Sequence, residues 1–141
     1  MATVQDVAAT CACMKVRKAA RAVTRAYSKA LRPSGLQGTQ FSMLVAASMA
    51  GGVPLGRLAD VLGLERTTMT RNLQLLERDG LVRVVNVDGR TRNVAVTEAG
   101  AARLAQALPL WEQAQERLHE KLGAEGWAAV QGMLGTLAGA A

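Results

Sequence analysis

Aromatic residues are scarce: two tryptophans, one tyrosine and one phenylalanine in 141 residues, or 3%. Half of the chain is nevertheless hydrophobic, so a core is expected and must be built from Leu, Val, Ala and Met. Cysteine and histidine are scarcer still. Cys11 and Cys13 do not make a disulfide framework, which points to a reducing cytoplasm. With His119 as the one histidine, they cannot make a zinc site without carboxylate or water ligands, so no metal and no cofactor is expected. His119 has no Ser or Cys partner at a recognisable spacing; no catalytic residue is assigned and an enzyme is rejected. Long apolar runs are also missing. The longest, Phe41 to Ala50, is broken by Ser42 and Ser48 and is too short for a bilayer, so no membrane partner is expected. Met1 to Thr10 shows no signal-peptide pattern. The length excludes a TIM barrel or a full dinucleotide-binding enzyme, and fits one compact domain with or without helical extensions.

Charge is plentiful and one-sided. There are 17 basic and 11 acidic residues, a net +6 that favours a polyanionic partner. The excess is uneven. Residues 1–40 hold seven basic residues and one acidic, residues 41–80 four of each, residues 81–97 three and one, and residues 98–141 three and five.

Periodicity gives four helices, a hairpin and two more helices. The first helix is expected from about Val4 to Arg32: Val16, Ala19, Ala20, Val23, Ala26, Tyr27, Ala30 and Leu31 share one arc, and Lys15, Arg17, Lys18, Arg21, Arg25, Lys29 and Arg32 the other. Pro33 and Ser34-Gly35 stop it. A second helix begins with Thr39 as N-cap and ends at Gly51-Gly52. A third, short one has Pro54 at its first position and Gly63 at its end. The fourth runs from about Glu65 to Arg78. Leu81–Val85 and Asn93–Thr97 then read as β-branched strands around Asp88-Gly89, a two-residue hairpin signal. A long helix from Glu98 to about Leu122 should be kinked or split at Pro109, and a last one spans about Ala124 to Leu137.

A short helix, a turn at Gly63-Leu64, a second helix and a hairpin make a winged helix-turn-helix. In the fourth helix Met69, Leu73 and Leu76 anchor one face. Arg66, Thr67, Thr70, Arg71, Gln74 and Arg78 occupy the other, with the residue types that read base edges and phosphates. The N–H groups near Arg66 to Thr68 are free for a phosphate. At the wing, Arg90 and Arg92 flank the turn and suit a narrow minor groove, while Asp88 bonds the turn backbone or holds Arg90. Each face taken alone also reads as an ordinary solvated surface; their order along the chain is what favours duplex DNA.

These residues resemble the MarR-type (multiple antibiotic resistance regulator) family of transcription regulators. The stretches that carry the likeness are Arg21–Tyr27, Gln40-Phe41, Leu58–Leu64, Arg66–Arg71, Leu76–Val82, Asp88-x-Arg90 and Thr97–Gly100. The resemblance implies a homodimer with intertwined first and last helices, a recognition helix (Arg66 to Arg71) in the major groove and the wing Arg90 in the minor groove. The wing departs from the usual Asp-Arg-Arg: its middle residue is Gly89, one basic side chain fewer. A dimer also follows from the residues, since a winged domain of about 60–70 residues has little spare core to cover the flanking apolar stripes. The fold expected is thus mainly α with a small β wing, divided into an N-terminal dimerisation helix (1–38), a winged helix-turn-helix (39–97) and C-terminal dimerisation helices (98–141).

The expected function is a cytoplasmic homodimeric regulator, a repressor of a palindromic duplex site, released by a small aromatic or anionic effector. Arg17, Arg21 and Trp111 are the candidate effector-binding residues; the competing reading makes Trp111 core and the arginines solvated. Cys11 is a candidate redox switch, because Lys15 and Lys18 one and two turns away favour the peroxide-reactive thiolate. Its competing reading is a small buried hydrophobe. On one continuous helix Cys11 and Cys13 point about 200° apart and do not bridge. The alternatives at the level of function are a winged-helix module for an acidic protein partner and a redox sensor acting through Cys11.

Overall fold

The computed structural model describes residues 1–49 and 51–140; Ala50, which ends the apolar stretch above, and Ala141 lie outside them. The N-terminal segment is two helices rather than one: α1 (Val4–Thr10) and α2 (Ala12–Leu31), separated by extended backbone at Cys11 (φ −61°, ψ 110°). Thr3 and Asp6 cap α1 reciprocally, but α1 buries no residue, so no tertiary packing carries the helix through. At its end the Thr10 hydroxyl bonds back to the Asp6 carbonyl at 2.6 Å, a local alternative to helix continuation. The angular argument that separated the two cysteines on a single helix therefore does not hold.

α2 ends at Leu31, fully buried, and passes through a short 3-10 turn containing Pro33. α3 (Gly38–Ser48) starts earlier than expected, with Gln37 rather than Thr39 at its N-cap; the Gln40 side chain accepts the Gln37 N–H at 3.0 Å. Then comes an element that periodicity missed. Val53–Pro54 forms β1, pairing antiparallel with the later wing strand through Val53 and Val94. Pro54 accordingly precedes α4 (Leu55–Leu62) as its N-cap instead of occupying its first turn. Gly52 permits the approach: at φ 74° any Cβ there would lie 2.6 Å from the Val94 carbonyl oxygen.

Gly63, left-handed at φ 63°, turns the chain into α5 (Arg66–Arg78). β2 (Val82–Asn86) and β3 (Arg92–Val96) complete a three-stranded sheet of order β1-β3-β2. α6 (Glu98–Ala140) contains Pro109 without breaking; its non-helical residue is Gly123 (φ 71°, ψ 168°). Buried Ala107 and half-buried Leu110 and Trp111 hold the helix to the core on either side of the proline, which offsets its missing hydrogen bond. The core is aliphatic as composition requires: Leu31, Met43, Leu44, Leu58, Leu76 and Val94 are its most completely buried large side chains.

The start of α6 shows what Thr97–Gly100 does. The Thr97 hydroxyl donates to the Gly80 carbonyl at 2.6 Å and accepts the Gly100 N–H at 3.0 Å. A Cβ on Gly100 would stand 2.0 Å from the Leu81 carbonyl oxygen, so glycine lets α6 close onto the turn between α5 and β2. The end of α5, the start of β2 and α6 are locked together at this point.

Candidate nucleic-acid interface

α5 is placed by its inner face, where Met69, Asn72, Leu73 and Leu76 are buried at helical spacing. Asn72 is satisfied within the helix, its side-chain amide donating to the Thr68 carbonyl at 2.9 Å. The outer face presents Arg66, Thr67, Thr68, Thr70, Arg71 and Gln74, all exposed. Glu65 precedes the helix without a side-chain cap bond, so the first N–H groups of α5 remain open to an acceptor. Among the described residues the one ion pair is Arg78 Nε to Asp79 Oδ1 at 3.3 Å. Arg78 is thus partly neutralised beyond the far end of that face, while Arg66 and Arg71 have no carboxylate partner among those residues.

The wing loop is longer than the two residues that Asp88-Gly89 suggested. β2 and β3 stop pairing at Asn86 and Arg92, and Val87 N–H bonds to the Thr91 carbonyl, leaving a five-residue tip. Asp88 organises it. Its Oδ1 accepts the N–H of Arg90 at 3.0 Å and of Thr91 at 2.6 Å, and its Oδ2 accepts the Thr91 hydroxyl at 3.3 Å. These bonds, the Thr91 N–H foremost, hold the Asp88 carboxyl below the usual carboxylate range. Asn86, which sequence reasoning did not single out, accepts the Gly89 N–H at 2.8 Å. Asp88 therefore shapes the tip rather than pairing with the Arg90 guanidinium. Arg90 and Arg92 are exposed, with no ion-pair partner among the described residues.

The candidate effector residues are not brought together. Trp111 is half-buried and stacks on Phe41, ring centroids 6.5 Å apart and 18° from parallel. It lines a cavity of about 360 Å³ with Val23, Thr24, Tyr27, Leu31, Ser42, Leu62 and Leu64, between α2, α3, α4 and α6. Arg17 and Arg21 are exposed on α2 and do not line it; Arg17 instead donates to the Cys13 sulfur at 3.4 Å. Tyr27 forms part of the cavity wall, and its hydroxyl donates to Gln115 Oε1 on α6. Burial pushes its phenol pKa up from the ordinary value. Tyr27 is a lone tyrosine in a helical stripe, and only its contact across the chain distinguishes it. Cys11 is half-buried at the junction of α1 and α2, and Cys13 is exposed. Among the described residues no helix is long and apolar enough to cross a membrane.

A helix-turn-helix whose second helix offers an open Arg/Thr face and packs against the first strand of a basic wing defines a winged-helix DNA-binding transcription regulator. Comparison with known proteins narrows the class. The model of the MarR family matches residues 34–92. The transcriptional regulator MosR of M. tuberculosis, solved in complex with DNA, is 42% identical over 93% of this chain and 96% of its own, with a TM-score of 0.82. A MarR-family regulator from Rhodococcus sp. RHA1 is 26% identical over 98% of each chain (TM-score 0.76). CouR from Rhodococcus jostii RHA1, solved with p-coumaroyl-CoA, is 27% identical over 87% of this chain and 88% of its own (TM-score 0.74). A search of curated proteins gave no match. The chain belongs to the MarR family of transcriptional regulators, and it is a regulator rather than an enzyme.

Proposed function

We propose that this regulator acts in the cytoplasm as a homodimer that represses a promoter by occupying a palindromic duplex site, and that a small ligand releases it. The observation that carries the DNA contact is the unpaired outer face of α5, Arg66 to Gln74, beside a wing tip that presents Arg90 and Arg92. In this reading α5 reads base edges through Arg66, Thr67, Thr70 and Arg71, Thr68 and the α5 N-terminus take phosphates, and the Asp88-shaped wing carries Arg90 and Arg92 to the minor groove. The DNA complex of MosR supports it.

The dimer reading rests on apolar surface. Beyond Gly123, α6 has no buried residue among those described, yet exposes Met133, Leu134 and Leu137 at 59, 52 and 46%. Val16 and Val23 on α2 are exposed as well. A second chain would cover these stripes, with residues 1–38 and 98–141 serving as dimerisation segments around the winged core 39–97. The Trp111 cavity supplies the release site. It lies between the dimerisation helices and α4 of the helix-turn-helix, so a ligand there biases the spacing of the two reading heads; CouR bound to p-coumaroyl-CoA supports a ligand of this kind. The test is selection of genomic duplex fragments on the purified protein, followed by footprinting. A palindromic protected site over a promoter supports the reading, and binding without a twofold site contradicts it.

A further inference from the structure

We propose that α1 of a second copy of this chain docks in an apolar groove on the reading head, between α3, α4 and the first half of α6. The contact rests on the homodimer reading above and deepens it by giving the N-terminal arm a seat on the partner's winged core. α1 is a capped amphipathic helix with nothing to lie on. Val4, Val7 and Ala8 share one face at helical spacing, and Val4 and Val7 are 82 and 50% exposed. Seven residues are too few for a helix to stand alone in water. α1 carries no basic residue, and its one charged side chain, Asp6, is engaged with Thr3 in the cap, so DNA phosphates are not what it meets.

The groove has the complementary character. Its volume is about 540 Å³, its floor is the stacked pair Phe41 and Trp111, and its rim is Val45, Met49, Val61 and Leu108. All four rim residues are exposed, Met49 and Val61 at 66 and 57%, and no charged side chain among the described residues lines the space. A concave apolar surface of this kind takes the apolar face of a short helix. The chain's own α1 falls short of it. α2 lines the neighbouring Trp111 cavity only from Val23 onward and does not line the groove at all. Ala12 to Val23 is about 16 Å of helix, whereas α1 is about 10 Å long. The other apolar surface open to α1 is α6 beyond Gly123. That stripe continues to Ala140 and matches the length of the twenty-residue α2 better than that of a seven-residue arm. An arm seated against Val61 touches α4, the first helix of the helix-turn-helix, so each reading head is held by both chains.

The test uses the full-length protein with Cys11→Ser/Cys13→Ser as background. A size-tagged chain with Val7→Cys is co-expressed with an untagged chain carrying Met49→Cys, Val61→Cys or Leu134→Cys, and a short bis-maleimide joins neighbouring thiols. A tagged–untagged band is expected with Met49→Cys or Val61→Cys and not with Leu134→Cys. Hydrogen exchange is the independent readout. Val45→Asp/Val61→Asp should speed exchange of the α1 amides about tenfold or more and leave buried core amides unchanged. Both valines are exposed in the single chain, which leaves the fold room for the charges. Circular dichroism checks folding, and if that variant fails to fold, Met49→Asp decides. Absence of a groove band, a stronger band with Leu134→Cys, or α1 amides that exchange equally fast with and without the groove substitutions overturns the proposal. Sedimentation of the wild type separates the two readings. A monomer ends the dimer reading and this one together, and a dimer without a groove band ends this one alone.

Discussion

Asp88 Oδ1 accepts the backbone N–H of Arg90 at 3.0 Å and leaves the Arg90 guanidinium without an ion-pair partner among the described residues. The acid next to the wing arginine is a structural element of the loop, which presents the cation instead of neutralising it.

Arg90→Ala should then weaken duplex binding almost uniformly across sequences and lower the salt slope by about one phosphate equivalent. Asp88→Ala should weaken binding too, despite removing a negative charge, because the tip loses its organising bonds. Anisotropy titrations at several salt concentrations check both; tighter binding by Asp88→Ala would show that charge outweighs loop order.

The same carboxylate gives a pH signature. Its folded pKa is depressed, so its contribution to loop order is complete above the ordinary value of about 3.9 and is lost as pH falls through the lower folded value. The Gly89 to Thr91 amide resonances should shift below pH 4 while core amides stay put, which an NMR titration resolves. Core and tip amides moving together would contradict a local effect.

Arg71 sits on the open face of α5, one residue before buried Asn72. Arg71→Ala should cost about 1–3 kcal/mol on the selected site and much less on random duplex. Competitive gel shifts with the two DNAs measure the ratio. An equal loss on both would reassign Arg71 to phosphate contact.

Gly100 is the most confined of the described glycines, with a would-be Cβ 2.0 Å from the Leu81 carbonyl oxygen. Gly100→Ala should destabilise the protein by about 1–3 kcal/mol. Thermal unfolding should show a clear drop in Tm, and an unchanged Tm would mean that α6 can move off the turn at no cost.

Much of this was legible in the sequence because it has a period or a punctuating residue. Met69, Leu73 and Leu76 at helical spacing gave α5 and its outer face, and Gly63 gave the turn before it. What escaped depends on contacts between distant residues. β1 is two residues long and exists only because Val53 meets Val94. Pro109 looked like a kink or split in the long helix, yet core packing holds α6 there; the break at Gly123 was legible, between a helix read to about Leu122 and one read from about Ala124. The interruption at Cys11 follows from α1 having nothing to pack against, which no helical wheel reveals. The Trp111 cavity belongs to the same class, since it forms only where Trp111 of α6 meets Val23, Tyr27 and Leu31 of α2.

The net charge of +6 also takes on a location. Residues 41–80, which hold α5, add none of it, so the proposed DNA contact rests on which face Arg66 and Arg71 occupy and on the wing, not on bulk charge. The most direct measurement is duplex binding by the Arg66→Ala/Arg71→Ala variant beside Lys15→Gln/Lys18→Gln on α2, at matched salt. If α5 is the reading surface, the first variant loses specific binding by about thirtyfold or more, at about 1–3 kcal/mol per contact, and the second changes it less than about fivefold. Loss confined to the α2 variant would contradict a recognition helix at Arg66 to Arg71.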